Sequence, residues 1–315
     1  MTATIEELLS ETRRTRLLVL DSGVGGLAYV NRILNLRDGY TVYYVADTAG
    51  FPYGEKSVEE LRGRIVRLVA SALLRFPADL ALVACNTASV TALTAVREAF
   101  PIPFVGTVPA VKPAAALTRT GVIALLATSA TVEDDYTDRL VADFARKYEV
   151  IRSGASELVR RIEGGFPHLT RRRQVVDLAR RELAAFRDAG ADVVVLGCTH
   201  FLHITPLLSE IAAELGGDLR LVDSLDGVAR RVLSLTRQEQ LATQEGFFRS
   251  LVKVGRSRGA RRAPLSVGSR RAPGVVTGGA DREPRGVLVT TAEGGDRYRE
   301  IATAFRLHYG GSLEL

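Results

Sequence analysis

Apolar residues fall along this chain in short runs, separated by longer stretches where they recur at helical spacing. The runs RLLVL (16–20), TVYYVAD (41–47), DLALVA (79–84), PFVG (103–106), VIALLAT (122–128), EVIRS (149–153), DVVVLG (192–197) and LRLVDS (219–224) are rich in strand formers. Between them the spacing predicts helices over 27–36, 57–76, 89–100, about 131–147, about 170–189 and about 205–215, with Ser57 capping the second. Strands that are apolar throughout and alternate with helices belong to parallel sheets covered on both faces. The expected class is therefore α/β, and in such folds binding sites form at the carboxyl ends of strands.

Two of these strand tips repeat each other. Ala78-Asp79-LALVA-Cys85-Asn86-Thr87 is echoed 113 residues later by Ala191-Asp192-VVVLG-Cys198-Thr199-His200. In each an Ala-Asp pair opens an apolar strand that delivers a cysteine at its tip. Two similar α/β domains facing one another would bring those tips together across a cleft, with the active site at the domain interface. A cysteine in apolar surroundings is ordinarily a small core residue, but here both cysteines of the chain sit at matching tips.

Charge alters little in this picture. The net charge is +6, but residues 253–285 alone carry nine basic side chains against two acidic ones, so the rest of the chain sums to −1. That stretch is rich in Gly, Ser, Ala and Pro, a composition suited to a flexible basic insertion. It has no aromatic residue for base stacking, so nucleic acid is not the expected partner. No apolar run is long enough to span a membrane, and the polar start MTATIEELLSETRRTR reads as a surface helix without a signal-peptide core. The expected location is the cytoplasm, where thiols stay reduced. The four histidines are scattered, which offers no metal cluster. None of the four lysines lies in a tip motif, so neither a metal nor pyridoxal phosphate is expected as a cofactor.

Two opposed thiols suit one kind of chemistry. Moving a proton from one face of a carbon to the other takes a base on one side and an acid on the other. A thiol with an unperturbed pKa near 8.5 can serve as either. Each cysteine also opens a strand-to-helix turn, whose free N–H groups attract anions.

The surrounding motifs DSGVGG (21–26), YYVADTAGFPYG (43–54), ACNTAS (84–89), GCTHF (197–201), VDS (222–224) and TAEGGDRYREIATAF (291–305) carry a resemblance to the glutamate racemases, within the aspartate/glutamate racemase superfamily. It covers most of 16–250 and 286–310. It implies interconversion of L-glutamate and D-glutamate without a cofactor, with D-glutamate going to peptidoglycan, and a homodimer. It assigns the catalytic thiols to Cys85 and Cys198, assisted by His200 and Asp21. Substrate binding falls on Asp21, Ser22, Pro52, Tyr53, Gly54, Asn86, Thr87, Thr199 and His200. Asp47 and Glu163 are further candidates. Asp47 is equally well read as an anchor for the loop before Phe51-Pro52-Tyr53-Gly54, and His203 as a residue lining the rim.

The resemblance also implies one domain from 1–110 plus about 223–315, carrying the insertion, and a second from 111–222. Two features depart from the family pattern. The Cys-Pro pair expected before Glu163 is absent, and the basic insertion is atypical; it is expected to loop out away from the cleft. Two alternatives stay open: a racemase or isomerase of another small acid such as aspartate, hydantoin or maleate, and a non-catalytic binding protein of the same fold.

Overall fold

The computed structural model describes residues 14–168, 173–216, 218–236, 285–292 and 294–315. The N-terminal helix reading, all but Arg285 of the basic 253–285 stretch, and Glu293 lie outside these residues.

Among the described residues ten strands form two sheets, and every pairing is parallel. The first sheet contains β1 (Thr15–Asp21), β2 (Tyr40–Ala46), β3 (Leu80–Val83), β4 (Phe104–Gly106), β9 (Gly286–Thr290) and β10 (His308–Ser312), in the order β10-β9-β2-β1-β3-β4. The second contains β5 (Val122–Ala127), β6 (Glu149–Gly154), β7 (Val193–Leu196) and β8 (Arg220–Val222), in the order β6-β5-β7-β8. The sequence echo therefore extends to topology: β2-β1-β3-β4 in one sheet corresponds to β6-β5-β7-β8 in the other.

Why the strands lie where they do follows from their composition. Leu17 to Leu20 and Ile123 to Ala127 are buried essentially without exposure, as expected for strands covered on both faces. In each sheet the chain leaves the opening strand toward one neighbour and later returns to pair on its other side. The carboxyl end of that strand is thus a topological switch point, where the crevice of a doubly wound sheet opens. Register puts Leu20 beside Val83 and Leu126 beside Leu196. Two residues beyond those pairs stand Cys85 and Cys198, each beside a switch point.

The helices follow the spacing closely at Leu27–Leu36, Val58–Arg75, Arg173–Asp188 and Thr205–Leu215. Ser57 caps the second by accepting from the Glu60 N–H. Three expectations need correction. The helix predicted from residue 89 begins at Asn86, directly after Cys85, because small polar residues fit a first helical turn at a strand tip. The helix predicted over 131–147 is two, Ser129–Glu133 and Asp135–Phe144, since Asp134 breaks the run by capping the second through the Tyr136 N–H. Ser156–Gly165, left unassigned in the sequence, is also a helix. The aspartates that open the echoed strands lie at the opposite end from the cysteines. Asp79 takes the Arg16 guanidinium, and Asp192 receives Thr118, Arg119 and Thr120.

Candidate active site

Asp21 ends β1 at the first switch point, and its carboxylate is buried. Oδ1 accepts from the Gly23 N–H at 2.9 Å and from the Ser22 hydroxyl at 3.2 Å. Oδ2 accepts from the Thr199 hydroxyl at 3.1 Å, which ties the first sheet's tip to the second's. Burial raises the carboxyl above its usual range, against the pull of the His200 charge and the Gly23 N–H.

Cys85 is the N-cap of Asn86–Ala99, and the backbone N–H groups of Ala88 and Thr87 serve its sulfur. Burial pushes this thiol up, and the neighbouring Asp21 charge pushes the same way. Cys198 caps a tighter 3-10 turn, Thr199–Ile204, and its Sγ lies 3.7 Å from His200 Nδ1. On the far side of the ring, His200 Nε2 is 2.8 Å from Glu163 Oε2. Burial works against a charged His200, but the hydrogen bonds to Cys198 and Glu163 outweigh it and hold the imidazole well above its ordinary value. Burial likewise opposes a Glu163 carboxylate, yet His200, the Val24 N–H and Arg297 together hold it down to about 2. Cys198, His200 and Glu163 thus form a buried row of contacts that could relay a proton. Glu163 stands at the far end of this row, bonded to His200 on the side away from Cys198.

The glycines of DSGVGG serve a purpose the sequence hid. A Cβ on Gly23 would stand 2.2 Å from Glu163 Oε2, and one on Gly25 would stand 2.2 Å from Thr199 Oγ1 and 2.9 Å from His200 Nδ1. The bare backbone is needed so that the second sheet's relay can press against the first sheet's loop. His203 also belongs to this contact rather than to a rim. It is largely buried, its Nε2 lies 2.9 Å from the Val24 carbonyl, and its ring packs on Phe166. Burial lowers it to about 4.

Asp47 is an anchor. Its carboxylate accepts two bonds from Arg64, one from the Tyr53 hydroxyl at 2.7 Å and one from Thr291. Tyr53 is thereby fixed in the 3-10 turn Tyr53–Glu55 that follows Pro52, and its hydroxyl is already engaged. Gly54 faces Thr128, since a Cβ there would meet that side chain at 3.0 Å. Thr87, Thr128 and Thr131 close a ring of three buried hydroxyls, 2.9 to 3.0 Å apart, between the two sheets. Thr128 and Thr131 were missed in the sequence, although Thr128 directly follows β5 and so satisfies the strand-tip rule that singled out the cysteines. Asn86 is buried, and its Oδ1 has no hydrogen-bond partner among the described residues. Among the described residues no group of three or more His, Cys, Asp or Glu is arranged to hold a metal ion, and no helix is long and apolar enough to cross a membrane.

A family model described as Asp/Glu/Hydantoin racemase matches residues 22–232, and the chain belongs to this racemase family. Within it, the chain is 43% identical over 235 residues to a glutamate racemase of Sodalis glossinidius, covering 73% of this chain and 78% of that protein. It is 44% identical over 227 residues to one from Sphingopyxis alaskensis, covering 70% and 81%. Among solved structures it resembles Escherichia coli glutamate racemase in complex with L-glutamate and the activator UDP-MurNAc-Ala. That match has a TM-score of 0.72 and 32% identity over 96% of this chain and 98% of the other.

Proposed function

We propose that this protein interconverts L-glutamate and D-glutamate by two-thiol proton transfer, supplying D-glutamate for peptidoglycan. The observation that carries the reading is the pair of buried thiols at equivalent strand tips, linked through Asp21, which bonds Thr199 and whose charge is felt at Cys85. One cysteine, as thiolate, takes the α-proton and becomes a thiol. The other, as thiol, gives its proton to the opposite face and becomes a thiolate, so the protein is left poised for the reverse reaction.

The remaining residues are read around that transfer. His200, backed by Glu163, holds or releases the proton that Cys198 exchanges. Asp21 and Ser22 face the substrate's ammonium together with Asn86 Oδ1, an acceptor in need of a donor. Backbone N–H groups after each cysteine receive the α-carboxylate, where negative charge grows as the proton leaves. The Thr87, Thr128 and Thr131 hydroxyls can open their ring toward the side-chain carboxylate, with Gly54 and Tyr53 forming the adjacent wall. Residues 1–110 with about 223–315, and 111–222, are read as two domains that close over the substrate. A homodimer and a cytoplasmic location complete the reading.

The test is to incubate purified protein with L-glutamate, D-glutamate and L-aspartate separately and to follow optical rotation. Decay of rotation with both glutamate enantiomers is expected. Decay with aspartate alone would move the assignment to another acid of the family, and no decay with any would favour a binding protein. Sedimentation at several concentrations checks the dimer.

A further inference from the structure

Glu163 sits on the helix Ser156–Gly165, beside the second sheet, yet most of its hydrogen bonds come from elsewhere. Its Oε2 accepts from the Val24 N–H at 2.9 Å. Its Oε1 accepts from the Tyr298 hydroxyl at 2.9 Å and from the Arg297 guanidinium at 3.3 Å. Arg297 also donates to the Glu163 carbonyl and, at 3.1 Å, to the Phe166 carbonyl, so it grips the end of the helix that carries Glu163. Arg297 and Tyr298 stand at the start of Gly295–Ala304, which follows β9 of the first sheet. Among the described residues His200 is the one side-chain partner from the second sheet's side. The relay's carboxylate is therefore held in place by the opposite half of the molecule.

We infer that Arg297 and Tyr298 are positioning residues for one of the two proton transfers: they fix Glu163 with Oε2 turned to His200, and so tune Cys198 but not Cys85. Two features of the geometry support this. Tyr298 and Arg297 together occupy Oε1, which leaves Oε2 to Val24 and His200. The hydrogen bonds to the Cys85 sulfur come instead from the backbone of its own helix. Tyr298 is buried and Arg297 about one-third exposed, so the clamp is formed in a region of reduced screening. Because Val24, Arg297 and Tyr298 all belong to the first sheet's half, separating the halves would leave Glu163 with His200 alone. The relay is complete only while the halves are together. The inference rests on the racemase reading above.

The test must see an asymmetry that equilibrium conceals. Enantiomers have equal free energy, so kcat/KM stays equal in both directions whatever is substituted. Isotope effects with α-deuterated substrate are not so constrained. If the Cys198 transfer is slowed, the deuterium effect on kcat/KM grows for the enantiomer whose α-hydrogen Cys198 removes. It shrinks for the other, where removal by Cys85 becomes a rapid step before the slow one.

Tyr298→Phe removes one oxygen and keeps the buried ring, and Arg297→Gln removes the grip on the helix. Each is expected to lower kcat/KM about tenfold, the scale of one hydrogen bond to a charged group, and to move the two isotope effects in opposite directions. Arg297→Lys, which keeps the charge without the fork, is expected to recover part of the loss. Isotope effects that remain as in the wild type, or that shift together for both enantiomers, would overturn the inference. A wild type that fails to racemise glutamate overturns the earlier reading. A wild type that turns over beside indistinguishable variants overturns only this one.

Discussion

Cys85 and Cys198 hold matching places in matching sheets, and a proton crossing the substrate should find each equally useful, yet the two surroundings are built by different means. Cys85 stands at the start of a 14-residue α-helix and is served by backbone N–H groups, with the Asp21 charge nearby. Cys198 opens a short 3-10 turn and is served by an imidazole with a carboxylate behind it. A helix start offers a fixed field that cannot itself gain or lose a proton. A His-Glu pair offers a field that can. A racemisation is symmetric only in its thermodynamics, and the two thiols proposed to carry it have unlike surroundings.

The severest way to break the comparison is to remove either sulfur. Cys85→Ser and Cys198→Ser should each cut racemisation by at least about 10²–10⁴-fold, the range of a positioned acid or base. In D₂O each variant should still wash out the α-proton of one enantiomer, and a different one in each case. The same enantiomer exchanging in both, read by proton NMR, would show that the thiols do not face opposite sides. Next comes His200→Gln, expected to lower kcat about a hundredfold. It should split the two deuterium isotope effects, raising the one for the enantiomer whose α-hydrogen Cys198 removes and lowering the other. Equal isotope effects would make the two halves alike after all.

Gly25→Ala is expected to be smaller in activity but severe in packing. Its Cβ would fall 2.2 Å from Thr199 Oγ1, so a loss of about 1–3 kcal/mol in a denaturant titration is expected. Smallest in effect on rate, and clearest in sign, is the pH dependence of stability. Glu163 is depressed from 4.5 to about 2. The stability it contributes is thus full above about pH 4.5 and lost as pH falls through about 2. Roughly 3 kcal/mol is at stake. Thermal melts of Glu163→Gln and wild type should therefore differ most from pH 5 to neutrality and converge as the solution is acidified. His200, held above 6.5, contributes below that value and fades as pH rises through its raised one. A constant gap between the two proteins at every pH would mean that Glu163 is not the charged partner.

Much of this was written in local sequence. Eight apolar runs gave eight strands, and the echo of Ala78–Cys85 in Ala191–Cys198 foretold two sheets of like topology. What local pattern could not carry was partnership across distance. Glu163 meets Val24, His200, Arg297 and Tyr298, which are brought together only when the two sheets oppose. Two glycines of DSGVGG, Gly23 and Gly25, mark where Glu163, Thr199 and His200 press on the backbone, a contact no local pattern announces. The echoed aspartates, conspicuous in the sequence, fix the far ends of their strands, because an opening strand needs its polar ends satisfied wherever the chemistry lies.

Asn86 Oδ1, buried without a partner among the described residues, carries a consequence for how the protein reports its own occupancy. A hydrogen bond from a charged donor to a buried acceptor is worth about 1.5–3 kcal/mol. A ligand with an ammonium group can supply that bond, and a diacid of the same length without nitrogen cannot. Glutamate should therefore raise the melting temperature more than glutarate at equal concentration, and Asn86→Leu should narrow that difference. The buried Asn86 acceptor becomes a sieve for amines, acting before any proton moves.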